Sequence, residues 1–216
     1  MKLHSYFRSS ASYRVRIALN LKGLAFDYAP VHLARDGGEQ FLPDFRSLNP
    51  QALVPVLEDG DDRLTQSLAI IEYLDERHPD PPLLPAAPAA RARVRALAQA
   101  IACDLHPLNN LRVLRYLAGE LALPDAARTG WYRHWVAVGL DALEARLAGE
   151  AAAGPFCHGD RPGLADCCLV PQLYNARRFA CDLSGYPTLL AIEERCRTLD
   201  AFRRAAPEEQ PDGAAG

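Results

Sequence analysis

Five prolines crowd the ten residues from Pro79 to Pro88: Pro79, Pro81, Pro82, Pro85 and Pro88. Each fixes its own φ and lacks a backbone N–H, so the stretch is stiff, extended and poor at donating hydrogen bonds. It reads as a domain linker because the periodicity differs on its two sides. Before it, short β-prone runs alternate with helical ones. Leu3–Phe7 and Phe26–Val31 read as strands around a helix from Tyr13 to Leu21, which Lys22-Gly23 stops with a basic residue and a glycine. Val54–Glu58 and Arg63–Thr65 flank Asp59-Gly60-Asp61-Asp62, a hairpin turn, and Ser67–Arg77 follows as a helix. After the linker the pattern is helical throughout, about 89–118, 125–148, 164–179 and 187–204. The tail from Pro207, with Pro211, Gly213 and Gly216, is expected to be frayed. The fold class expected is therefore an α+β N-terminal domain over residues 1–80, a small mixed sheet with helices packed on it, then an all-α domain over 89–216, with the linker at 79–88.

A chain of 216 residues can bury cores for two such domains. Its formal net charge of -3 gives no field that would gather nucleic acid. No run of about 18 apolar residues suggests a membrane span, and Met1–Tyr6 does not look like a signal peptide. A cytoplasmic protein is expected. Its six cysteines, Cys103, Cys157, Cys167, Cys168, Cys181 and Cys196, include no Cys-x-x-Cys pair and no zinc-finger spacing with histidine. They read as reduced thiols used mostly as small apolar residues, with neither a disulfide nor a metal site expected.

Three places carry chemistry. Ser9-Ser10 sits where a strand passes into a helix. Free N–H groups and the helix dipole favour an anion there, and a serine hydroxyl can donate to a thiolate and lower its pKa; an N-cap serine would look the same. In Leu53-Val54-Pro55-Val56 a proline interrupts an apolar run. A trans edge proline is the ordinary solution. A cis bond would instead turn the chain and offer the N–H and C=O of Val54 to a peptide ligand as an added strand. Gln66 and Ser67 mark a second strand-to-helix junction.

Together, these features resemble the glutathione transferase family over roughly residues 1 to 205, with a thioredoxin-like N-terminal domain built on a mixed four-stranded sheet. Ser9-Ser10-Ala11-Ser12-Tyr13-Arg14-Val15-Arg16-Ile17-Ala18-Leu19 is similar to the zeta-class signature, with Ala11 where many members carry cysteine and Tyr13 where tryptophan is common. Asn49-Pro50, Gln66–Leu74, Pro107–Leu111 and Ala165–Gln172 support the match. The resemblance implies a glutathione-dependent cis–trans isomerase of a dianionic dicarboxylic keto acid, working by reversible thiolate addition. The runs Arg8–Ser12 and His106–Arg115 favour maleylpyruvate, giving fumarylpyruvate, over maleylacetoacetate. A general transferase and a non-catalytic binding protein are the other readings. It further implies that Ser9 or Ser10 holds the thiolate and that Arg8, Arg112 and Arg178 hold the carboxylates. Gln40, Val54, Gln66 and Ser67 would grip glutathione, with His106, Asn109 and Asn110 contributing, and the protein would be a homodimer. Arg177 competes with Arg178, since adjacent helix residues point about 100° apart. Asp166 reads as structural, three residues after Gly163, which lacks the hydroxyl of a capping box.

Overall fold

A computed structural model gives the fold and describes residues 1–213. They form two compact units, and the first is Met1–Leu83 together with the chain from Arg197 onward. Its sheet has the order β2-β1-β3-β4, with β1 Lys2–Ser5, β2 Asp27–Pro30, β3 Val56–Asp59 and β4 Asp62–Thr65. β1 and β2 run parallel through the crossover helix α1 (Ser10–Leu21), whereas β1–β3 and β3–β4 are antiparallel. Asp59 pairs with Asp62, so Gly60-Asp61 closes the hairpin, and Gly60 takes the positive φ of 62° that its missing Cβ allows. α3 (Ser67–Arg77) buries Ile70, Ile71 and Leu74. α1 buries Val15, Ile17, Ala18 and Leu19, and with them Arg14 and Arg16. It ends as the sequence indicates, with the Gly23 N–H on the Asn20 carbonyl at 3.1 Å.

Four features of this unit differ from the sequence reading. The Val54–Pro55 bond is cis rather than trans, as is Asp80–Pro81. A short helix α2, Pro43–Leu48, starts on its proline and went unseen because six residues carry too little periodicity. The start of the proline-rich linker is held by the first unit, where the Lys22 ammonium binds the Asp75 carboxylate at 2.8 Å and the carbonyls of His78 and Pro81. The tail is not frayed over its described length. α10 (Asp200–Ala205) packs on α1, Pro207–Glu209 forms a 3-10 turn, and the buried Gln210 amide donates to the carbonyls of Arg204 and Ala206. Gly216 lies outside the described residues. These contacts hold residues 200–210 with the first unit.

The second unit, Leu84–Cys196, is helical. The span expected as one helix over 89–118 is instead α4 (Pro88–Gln99), a π-helical segment Ala100–Leu105, α5 (His106–Leu108) and α6 (Leu111–Gly119). The break falls at Asn109-Asn110, where the Asn110 side chain caps α6 by accepting from the Arg112 N–H at 3.1 Å. α7 (Asp125–Gly149), α8 (Leu164–Arg178) and α9 (Pro187–Arg197) follow, so the expected helix over 187–204 is interrupted before α10. Buried Asp166 accepts from the N–H groups of Gly163 and Cys157, each at 2.9 Å. Its second partner, Cys157, ties the preceding loop to the start of α8, while the acceptor that a cap hydroxyl would offer stays missing at Gly163. All six cysteines are free thiols, and Cys157, Cys167, Cys168 and Cys196 are buried. Among the described residues no helix is long and apolar enough to cross a membrane, and no cluster of side chains could hold a metal.

Candidate active site

The strand register gathers three of the expected segments at one end of the sheet. His4 pairs with Val56, and Val56 pairs with Thr65. The end of β1, the start of β3 and the end of β4 are therefore neighbours. From them emerge the turn leading to Ser9, the cis peptide at Val54, and Gln66-Ser67. A hydrogen bond fastens two of these together: buried Arg14 on α1 donates to the Ser67 hydroxyl at 3.2 Å.

Ser9 is the N-cap of α1. Its backbone is extended (φ -70°, ψ 116°), and its hydroxyl oxygen accepts from the Ser12 N–H at 3.2 Å. The cap uses a lone pair and leaves the hydroxyl hydrogen to donate outward, beside the positive end of the helix dipole. Ser10 is the first residue inside the helix and only 3% exposed. The two serines, equivalent in the sequence, are thus distinguished by burial. Arg8 is half-buried with its guanidinium 4.7 Å from the Phe7 ring centroid, and it makes no ion pair among the described residues.

Val54 lies just before the ladder that begins at Val56, on the far side of the cis bond. Asn49 shapes this approach: its amide donates to the Leu53 carbonyl at 2.8 Å and its oxygen accepts from the Gln51 N–H at 3.0 Å. Gln66 caps α3 from the left-handed region, φ 68° and ψ 114°, an uncommon state for a residue with a side chain. Its side-chain amide donates to the Gln51 side chain at 3.1 Å. Gln40 is buried, with its amide on the Leu33 carbonyl at 3.4 Å and its side-chain oxygen without a partner among the described residues. Asn49, Arg14 and Arg16 are supporting residues that the sequence offered only as matches to the family motifs, with no role assigned. The available signal was two arginines in the apolar stripe of α1, where a charge has no place unless it is bonded.

In the second unit, Arg177 and Arg178 separate cleanly. Arg177 grips both oxygens of buried Glu193, one at 2.6 Å. Arg178 makes no ion pair among the described residues, and its guanidinium lies 5.3 Å from the Phe179 ring, which stacks on Tyr132 at 3.7 Å. Arg112 is exposed at the start of α6. Asn109 is nearly buried and donates to the Tyr132 carbonyl at 3.3 Å, while Asn110 lies 3.4 Å from the His106 ring. A cavity of about 470 Å³ beside α7 is lined by Arg133, Cys181 and Tyr186 and contains none of these residues.

Family models for the glutathione S-transferase N-terminal and C-terminal domains match residues 3–82 and 125–205. The chain belongs to the glutathione transferase family. It is 55% identical over 210 residues to a probable maleylacetoacetate isomerase from Vibrio cholerae, covering 97% of each chain. It is 52% identical over 215 residues to a maleylpyruvate isomerase from a Ralstonia species, covering 99% of this chain and 100% of the other. The holo structure of a maleylpyruvate isomerase described as a bacterial zeta-class glutathione transferase superposes with a TM-score of 0.95 at 50% identity, covering 98% and 99% of the two chains. A maleylacetoacetate isomerase from Methylobacterium extorquens AM1, solved with malonate and glutathione bound, gives a TM-score of 0.94 at 46% identity and 98% coverage of both. The zeta-class resemblance of residues 9–19 thus extends to the whole transferase fold.

Proposed function

We propose that this transferase is a glutathione-dependent cis–trans isomerase that converts maleylpyruvate to fumarylpyruvate. The observation that carries the reading is Ser9, a helix cap whose hydroxyl keeps its hydrogen for an outside acceptor, in one turn with an arginine that has no carboxylate partner among the described residues. The donor set at this end of the sheet fits a peptide thiol. Val54 precedes β3 at a bend where an extended peptide can add as a strand, and the N-terminus of α3 suits a carboxylate.

When bound, glutathione supplies a thiolate that adds reversibly to the substrate double bond and so permits rotation. Ser9 donates its hydroxyl hydrogen to the sulfur and, with the N-terminus of α1, favours the ionised form. Val54 holds the peptide through its backbone, while Gln66 and Ser67 hold a carboxylate, with Gln40 in a supporting role; His106, Asn109 and Asn110 are the polar groups that the family resemblance offers from the second unit. Arg8, beside Ser9, forks a substrate carboxylate and offsets the charge that develops on the carbonyl oxygen, and by the family resemblance Arg112 and Arg178 are the carboxylate ligands that the second unit offers. Ala11 puts no thiol beside this turn, and the nucleophile proposed is the sulfur of glutathione.

Maleylacetoacetate is the second reading, favoured by the relative from Vibrio cholerae. The choice of maleylpyruvate rests on the runs Arg8–Ser12 and His106–Arg115. A comparison of kcat/KM for the two substrates tests it: preference for maleylpyruvate is expected, and preference for maleylacetoacetate would reverse the assignment. We place the enzyme in the cytoplasm as a homodimer, and sedimentation at a single chain's mass would refute the dimer.

A further inference from the structure

The turn that carries Arg8 and Ser9 is tied down at one residue, Phe7, from both sides. The Phe7 N–H donates to Oδ2 of Asp212 at 3.1 Å, across 205 positions of sequence. The Phe7 carbonyl accepts from Nη2 of Arg16 at 2.9 Å. Arg16 is fully buried and also donates to the Ser5 hydroxyl at 3.1 Å, the Tyr6 carbonyl at 3.4 Å and the Ala205 carbonyl at 3.0 Å. The second oxygen of Asp212 accepts from the Tyr28 hydroxyl at 2.7 Å. Burial, reinforced by Asp212, pushes the Tyr28 phenol above its ordinary range, so it stays protonated and donates. The peptide planes before and after Phe7 are therefore each held by a charged group. Two residues later, the Ser9 N–H returns to the Tyr6 carbonyl at 2.9 Å, closing the turn.

We infer that Asp212, at the far end of the chain, is a positioning residue that fixes the Ser9 turn through the Phe7 amide. Charge-assisted bonds to a backbone N–H are stronger than neutral ones, and this one determines where the Ser9 hydroxyl points. The chain end is thereby part of the active-site framework, although it touches no reacting atom. The inference rests on the glutathione reading of the Ser9 turn and adds to it a residue that holds the turn in place.

The test uses the full chain and the variants Asp212→Ala and Asp212→Asn. Glutathione affinity is measured by calorimetry, and the bound thiol is titrated by ultraviolet absorbance of its thiolate. Asp212→Ala loses the acceptor. Its bound thiol is expected to titrate about one pH unit higher than in the parent, a roughly tenfold smaller thiolate fraction below that pKa, with weaker glutathione binding. Asp212→Asn keeps an acceptor oxygen for Phe7 and is expected to restore both values. An Asp212→Ala protein that unfolds more easily yet binds and ionises glutathione as the parent does would overturn the inference and leave Asp212 a mere tail anchor. If that variant does not fold, amide exchange at Phe7 carries the test: protection in the parent and in Asp212→Asn is expected, and exchange at the rate of a free amide in either would overturn it. A parent chain that binds no glutathione would overturn the functional reading and this inference together. Normal parental binding with an unchanged Asp212→Ala overturns this inference alone.

Discussion

Replacing Ser9 with alanine removes the cap that the structure shows and the sulfur contact proposed for the same hydroxyl. Its oxygen caps α1 by accepting from the Ser12 N–H, and an N-cap of this kind is worth about 1 kcal/mol. In a chain of this size that lowers Tm by roughly 2–4 °C. Its hydrogen is the proposed donor to the glutathione sulfur. Loss of a preorganised donor to a developing anion costs on the order of 100-fold in rate, about 2.7 kcal/mol. Ser9→Ala should therefore melt slightly early, hold glutathione with a raised thiol pKa, and lose kcat out of proportion to the stability change. Ser10→Ala supplies the contrast, because Ser10 is buried in the first turn; it should affect folding more than the thiol pKa. Thermal unfolding, thiolate absorbance against pH, and steady-state kinetics on both variants make the comparison. A Ser9→Ala enzyme within about twofold of parental kcat, where a lost donor should cost on the order of 100-fold, would refute the reasoning. So would a selective loss of activity in Ser10→Ala.

Arg177→Ala should cost about 1–2 kcal/mol in stability, because it takes the partner from the buried Glu193 carboxylate while solvent already reaches the exposed guanidinium; Arg178→Ala should melt normally and raise KM for the substrate, and the opposite pattern would exchange their roles. Asp166→Ala leaves the N–H groups of Gly163 and Cys157 without their acceptor, a loss of about 2–5 kcal/mol readable by denaturant unfolding. The His4 ring holds the Glu58 carboxyl below its ordinary value of 4.5. A depressed folded-state pKa contributes stability above the unfolded value that is lost as pH falls through the folded one. Glu58→Gln should accordingly be slightly less stable than the parent at neutral pH, by under about 1 kcal/mol, and equal to it in acid; a deficit that persisted in acid would exclude the carboxylate as its cause.

What the sequence made legible was local. The Ser9 cap, the Gly60-Asp61 turn and the Lys22-Gly23 stop each follow from the chemistry of adjacent residues, and each forms as read. The features that were missed depend on distant partners. Nothing near Arg177 marks it as structural, since Glu193 lies 16 residues on, across the turn between α8 and α9. The tail reads as disordered because its prolines and glycines are visible and its anchors are not: Gln210 and Asp212 act through bonds to other segments that leave no periodicity. The apolar stripe continues through Asn109-Asn110, so only the capping bond of Asn110 reveals the break. At Val54–Pro55 the sequence left two isomers open, and the base rate pointed to the one not found.

The reaction proposed for this chain is isomerisation of a maleyl keto acid on glutathione's sulfur. The direct measurement is conversion of maleylpyruvate by the purified protein with and without added glutathione, with glutathione itself followed in the same assay. Fumarylpyruvate is expected only when glutathione is present, with no net consumption of glutathione. Binding of glutathione without turnover of either maleyl substrate, or turnover in its absence, would contradict the proposed reaction.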